Sequence, residues 1–252
     1  MNISVIGGTG GMGETLIRFF NSENFPAKAI GRKTKEPEVL LKHADVVLIS
    51  VPSQALPYAV NLLKRVDTKK KLIVTLGSCM LHDKKILKVL KAPLLHVHQL
   101  FGPQVYPFNG QNIVLAGALK DSKAKKIIGI LKKSGANITV LTEAKHDELM
   151  SNTQALSQFS AISMAKTLSE SKFKQKDLEK GATVTFKMNS GLIKRITSQS
   201  ASLWAYIQFE NEFAGKVLDK HLKNIALMRK MAKNKDYKGF EKMFQKVAKY
   251  WK

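Results

Sequence analysis

Short, almost continuously apolar runs recur through the first 142 residues, at 3–6, 27–30, 46–51, 72–76, 94–98, 112–116 and 137–141. Runs of this length predict strands. Their lack of polar alternation predicts a sheet covered on both faces. Between them lie amphipathic stretches such as 56–66 and 123–133, the latter with Asp121 placed as N-cap and Gly135 as C-cap. Strand–helix alternation of this kind predicts an α/β, Rossmann-type, doubly wound and mostly parallel sheet. After Thr142 the period becomes helical. Residues 143–169 read as one long helix, no strand follows, and Phe240, Met243, Phe244, Val247 and Trp251 mark one face of a final helix. The expected organisation is an α/β domain over 1–142 and an all-helical domain over 143–252. The helices carry much apolar surface for so small a domain, so burial between subunits is expected, as a homodimer joined through the helical domain.

The first strand runs directly into Gly7-Gly8-Thr9-Gly10-Gly11-Met12-Gly13 and then into a helical stretch. Gly8, Gly10 and Gly13 have the spacing of a dinucleotide-binding turn. The first allows the tight turn, the second lets backbone approach a pyrophosphate, and the third allows close helix–sheet packing. The helix N-terminus adds attraction for phosphate charge. The second strand ends in Gly31-Arg32-Lys33, with no carboxylate before Glu36. A carboxylate there would bind a ribose hydroxyl and repel a 2′-phosphate, whereas Arg32 can grip the phosphate with a planar fork. The cofactor expected is NADP, with NAD possible, held by Gly8, Thr9, Gly10, Gly11, Met12, Gly13, Arg32, Lys33, Val51 and Pro52. The bland alternative is that Arg32 and Lys33 belong to a generally basic surface.

Charge sharpens this picture. Lys and Arg number 42 against 19 acids, a formal net charge of +23. Such a field attracts phosphorylated cofactors, carboxylate substrates and nucleic acid alike. Residues 216–252 hold 12 basic and 3 acidic residues, but the lysines alternate with apolar positions at helical spacing and read as a solvated face. No nucleic-acid motif accompanies them. No apolar run approaches the ~18 residues needed to span a bilayer. The chain opens on a strand and not on a signal peptide, and its single cysteine, Cys79, has no internal partner, so a cytoplasmic, reducing compartment is expected.

Three further segments carry chemistry: Thr75-Leu76-Gly77-Ser78, His96-Val97-His98-Gln99-Leu100-Phe101-Gly102-Pro103, and His146-Asp147. In order and spacing they resemble the prephenate and arogenate dehydrogenases of tyrosine biosynthesis. The most specific piece is His98–Pro103, which is similar to that family's His-Pro-Met-Phe-Gly-Pro. The resemblance implies oxidative decarboxylation of a small anionic cyclohexadienol, with hydride passing to the nicotinamide. It implies His98 as the catalytic histidine on the ring hydroxyl, and Ser78 as the serine that orients it. An imidazole with an ordinary pKa of ~6.5 is a competent base near neutrality. Lys187, His146 and Gln158 are the implied substrate-binding residues.

Other readings remain open at this stage. His96 and His98 share a strand face, as half a metal site or as core histidines would. No further ligand cluster stands at metal spacing, so no metal is expected. Ser78 could cap the following helix, and His146-Asp147 could simply start one. Four positions depart from the family: Thr75 and Met80 stand where Asp and Lys are common, Gln158 where a second histidine stands, and Lys187 where an arginine holds a substrate carboxylate. Lysine keeps that charge and loses the bidentate fork, with Lys194 and Arg195 as nearby alternatives. These departures leave two rivals: a non-catalytic NADP-binding regulatory protein that kept the fold, and a related dehydrogenase with a different anionic substrate.

Overall fold

The computed structural model describes all residues, Met1–Lys252. The chain forms two compact units: Met1–Met150 with Gln199–Asn211, and Ser151–Ser198 with Glu212–Lys252.

All seven apolar runs are strands: β1 (Ile3–Ile6), β2 (Ala27–Ile30), β3 (Val46–Ile49), β4 (Leu72–Thr75), β5 (Leu94–Gln99), β6 (Asn112–Gly117) and β7 (Asn137–Val140). They form one sheet in the order β2-β1-β3-β4-β5-β6-β7. β1 to β5 are parallel, β6 runs antiparallel to β5, and β7 is parallel to β6. The helices follow as α1 (Gly11–Ser22), α2 (Pro37–His43), α3 (Leu56–Leu63), α4 (Met80–Leu87), α5 (Ser122–Lys133) and α6 (Glu143–Met150). Then come α7 (Leu156–Ser169), α8 (Gln175–Lys180), α9 (Val184–Thr197), α10 (Ala201–Glu210), α11 (Ala214–Asn234) and α12 (Tyr237–Tyr250).

The unbroken apolar runs follow from burial on both faces. Val46 and Leu48 pack with Ile3, Val5, Phe19 and Phe20 on one side of the sheet. Val47 and Ile49, one residue out of phase, pack with Ile6, Leu56 and Leu63 on the other. A pleat directs alternate side chains to opposite faces, so no position of β3 can be polar without opening one of the two cores. Asp121 caps α5 as expected, accepting from Lys123 and Ala124 N–H at 2.8 and 3.2 Å. Gly135 follows that helix with φ +81°.

Two features differ from the reading of period alone. Residues 143–169 are helical throughout, but a π-helical stretch, Ser151–Ala155, separates α6 from α7. A π turn inserts an extra residue and rotates the faces on either side of it. α6 falls in the first unit and α7 in the second. The chain also returns to the first unit over Gln199–Asn211, carrying α10 with it. In the second unit, Thr183 caps α9 and Asp236 caps α12. The apolar face of α12 stays exposed, with Phe240, Phe244 and Val247 open to solvent. No helix is long and apolar enough to cross a membrane.

Candidate active site

At the carboxyl end of β1 the backbone turns at Gly7, with φ +82°, and a Cβ there would come within 2.2 Å of the Ser50 carbonyl oxygen. The tight turn expected at Gly8 is therefore made one residue earlier, because β3 leaves no room for a side chain. Gly8 instead lies against β2, where a Cβ would meet the Ala29 backbone at 2.7 Å. Gly13 fits its expected place, since a Cβ would stand 2.3 Å from the Gly7 carbonyl oxygen and push α1 off the loop. Gly10 precedes α1 in extended geometry and no side chain caps the helix. Its first N–H groups, from Gly11 and Met12 onward, are thus left to an anion, and the helix dipole favours one. This cradle fits a pyrophosphate.

Arg32 and Lys33 sit at the neighbouring strand end. Gly31 packs on Thr9 of the loop, so that a Cβ would meet Thr9 Oγ1 at 2.7 Å. Both cationic side chains are exposed, and no carboxylate pairs with either. Val51 and Pro52 follow β3, with Val51 beside Gly7. The donor set at this edge fits a phosphorylated dinucleotide.

His98 lies near the carboxyl end of β5, 4% exposed. Its Nδ1 is 2.7 Å from His146 Nε2, and His146 Nδ1 is 2.7 Å from Asp147 Oδ1. Asp147 in turn accepts the backbone N–H groups of Met80 and Leu81, both at 2.9 Å. As an acceptor-only carboxylate, Asp147 makes His146 Nδ1 the donor. His146 Nε2 must then accept, and His98 Nδ1 must donate. Two hydrogen bonds thus fix one tautomer, with the lone pair of His98 on Nε2. Burial, with the neighbouring His146 adding to it, pushes the His98 pKa down to about 3, which keeps the ring neutral at neutral pH and makes it a weaker base than an ordinary imidazole.

The structure places two of the expected site residues as follows. His146, expected to touch substrate, is fully buried with both nitrogens engaged. It is hydrogen-bonded to His98, the place expected of Ser78, which makes no hydrogen bond to the ring. Ser78 does not cap α4 either, because that helix takes its cap from Asp147, 66 residues and more along the chain. Ser78 lies half-buried in the turn after β4. The segment that follows His98 is fastened to α1, where Thr15 Oγ1 donates to the Pro103 carbonyl at 2.7 Å. The serine turn, the histidine and the glycine loop all lie at the carboxyl ends of β4, β5 and β1, where open α/β sheets bind ligands.

The departures at Thr75 and Met80 have local accounts. Thr75 Oγ1 donates to Asp83 Oδ2 at 2.9 Å, so α4 supplies a carboxylate to this turn. Met80 is wholly buried with Val114 and Ala116 in an apolar cluster that would not hold a lysine ammonium. His96 is core: 1% exposed, neither ring nitrogen hydrogen-bonded, its pKa pushed down to about 4 by burial. In the second unit, Lys187 is exposed on α9 and Gln158 is buried on α7 with its Oε1 unpartnered. Lys194 is engaged with Glu179 at 2.9 Å, whereas Lys187 and Arg195 have no acidic partner. Asp83, Tyr206 and Asn211, all buried beside the site, carry no signal in the sequence that would have marked them.

Residues 142–246 match the family model described as prephenate dehydrogenase, dimerization domain. The whole chain is 29% identical, over 280 aligned positions, to a probable arogenate/prephenate dehydrogenase of Methanocaldococcus jannaschii, of which it covers 61%. It is 25% identical to the T-protein of Haemophilus influenzae, with 97% of this chain and 66% of that protein covered. The chain therefore spans less than two thirds of the length of these curated relatives. Among solved structures, Aquifex aeolicus prephenate dehydrogenase in complex with hydroxyphenyl propionate and NAD+ aligns with a TM-score of 0.77 at 18% identity, covering 98% of this chain and 96% of that one. Synechocystis arogenate dehydrogenase gives 0.74 at 16% identity, with 98% of both chains covered. These likenesses show a shared fold.

Proposed function

We propose that the chain is a member of the prephenate/arogenate dehydrogenase family and that it oxidises and decarboxylates a cyclohexadienol, prephenate or arogenate, with NADP as the preferred hydride acceptor. The observation that carries this reading is the His98–His146–Asp147 chain at the carboxyl end of β5. Bound there, the nicotinamide would take the hydride from the hydroxyl-bearing ring carbon. His98 Nε2 accepts the hydroxyl proton as that hydride leaves, and loss of carbon dioxide then makes the ring aromatic. The cation formed on His98 keeps its Nδ1–H on His146, whose own Nδ1–H stays on the Asp147 carboxylate. Ser78 lines the turn beside the reacting carbon. Lys187 supplies a cation for a substrate carboxylate, Gln158 supplies a polar contact, and the protein acts as a homodimer.

The reading is tested at His98. Replacement by Asn keeps a polar side chain of similar reach and removes the base. His98→Asn is expected to lower kcat by roughly 10²- to 10⁴-fold, the usual scale for general acid–base catalysis, with cofactor affinity intact. Near-normal turnover would show that the base lies elsewhere.

A further inference from the structure

The return segment places a tyrosine where neither strand period nor resemblance assigns a role. We infer that Tyr206 is a positioning residue, a strut that holds the loop after β3 and the serine turn after β4 in fixed relation. This inference rests on the proposed dehydrogenase reading. Tyr206 is 5% exposed, and its hydroxyl donates to Asp83 Oδ1 at 2.6 Å. Ser53, just beyond Val51 and Pro52, neighbours the same hydroxyl. Asp83 accepts Thr75 Oγ1–H on its other oxygen. The result is a buried hydrogen-bonded chain, Tyr206 to Asp83 to Thr75, with half-buried Ser53 beside its tyrosine end, so that it stands between the ends of two adjacent parallel strands.

One of those ends is proposed to contact cofactor and the other leads to Ser78. The Asp83 carboxylate packs directly on that second turn, since a Cβ on Gly77 would stand 1.8 Å from Asp83 Oδ2. The far end of the segment is fastened as well. Asn211 Nδ2 donates to the Asp147 carbonyl at 2.8 Å, and His82 faces Glu210 at 2.8 Å. A phenylalanine would fill the same space, so packing alone does not call for the hydroxyl. Only a hydroxyl can donate to the acceptor-only carboxylate while keeping an acceptor on the side of Ser53.

Burial raises the Asp83 pKa, while the bonds from Tyr206 and Thr75 and the charge of His82 oppose that rise and Asp147 adds to it. Losing the Tyr206 donor therefore raises it further, and the site loses its ionised anchor at a higher pH.

The experiment compares wild type, Tyr206→Phe and Ser53→Ala in cofactor affinity, kcat and the pH dependence of kcat, with circular dichroism as the check on folding. Tyr206→Phe is expected to lower kcat about 3- to 10-fold, the scale of one lost hydrogen bond, with substrate KM little changed. Its acid limb should move to higher pH, and its NADPH affinity should weaken severalfold. Ser53→Ala should weaken NADPH affinity in the same direction, and it decides the matter alone should Tyr206→Phe not fold. Unchanged kcat, acid limb and NADPH affinity in the folded variants would overturn the strut. A wild type that turns over neither cyclohexadienol would overturn the activity instead, and the NADPH affinities would still decide the strut.

Discussion

At the scale of single residues, three side chains carry the predictions on cofactor and pH behaviour. Arg32 is exposed beside the glycine loop with no acid to neutralise it, and the proposed NADP preference assigns it the 2′-phosphate. A charged hydrogen bond contributes about 1.5–3 kcal/mol, and tenfold in kcat/KM is about 1.4 kcal/mol. Arg32→Ala should therefore lower kcat/KM with NADP at least about tenfold while barely moving the NAD value; equal losses with both would sink the assignment. His98 and His96 set the acid response. Their pKa values lie at about 3 and about 4 in the fold, below the ordinary 6.5. Below pH 6.5 the unfolded chain binds protons that the folded one refuses, so stability falls as pH drops from 6.5 toward 4. The slope approaches about 1.4 kcal/mol per pH unit for each imidazole. Denaturant melts between pH 7 and pH 4 should show this loss, and His98→Phe should make it shallower. An unchanged slope in that variant would contradict the neutral, buried state of His98.

At the scale of elements, α4 and α6 are joined by one carboxylate. Asp147 accepts the first N–H groups of α4 and also fixes His146. Asp147→Ala strips both, leaving one buried and one partly buried backbone donor unmet, at up to about 1–3 kcal/mol each. For a chain of this length that corresponds to a drop in melting temperature of roughly 4–20 °C. It should also lower kcat beyond what the lost stability explains, because the His98 tautomer is no longer fixed. A stable variant with normal kcat would mean that the contact with Asp147 does not direct His98. This cap shows where reading the sequence stops. Asp121 is legible because a cap three residues from its target leaves a local pattern, whereas Asp147 caps a helix from a distant segment. The strands were legible because burial on both faces forbids polar alternation. The π turn at Ser151–Ala155 was not, because one extra residue breaks the period that the eye follows.

At the scale of the whole molecule, α10 belongs to the unit built around the sheet although the helices before and after it do not. Nothing in its pattern distinguishes it, because it is as helical as its neighbours and its role lies in which core buries Tyr206 and Ile207. The glycine loop, Arg32 and His98 were legible because backbone geometry and charge demand particular residue types at fixed places. Their supports were not, because any donor or acceptor of suitable reach could serve. The net charge of +23 suits an anionic substrate and a cofactor carrying an extra phosphate, so affinity for both should weaken as salt rises. The most direct test of the account is turnover itself, with prephenate and arogenate each supplied with NAD and with NADP, following reduced cofactor and carbon dioxide together. The account predicts equal amounts of both products from at least one of the two substrates, and faster with NADP. Binding of NADPH without turnover of either cyclohexadienol would contradict it.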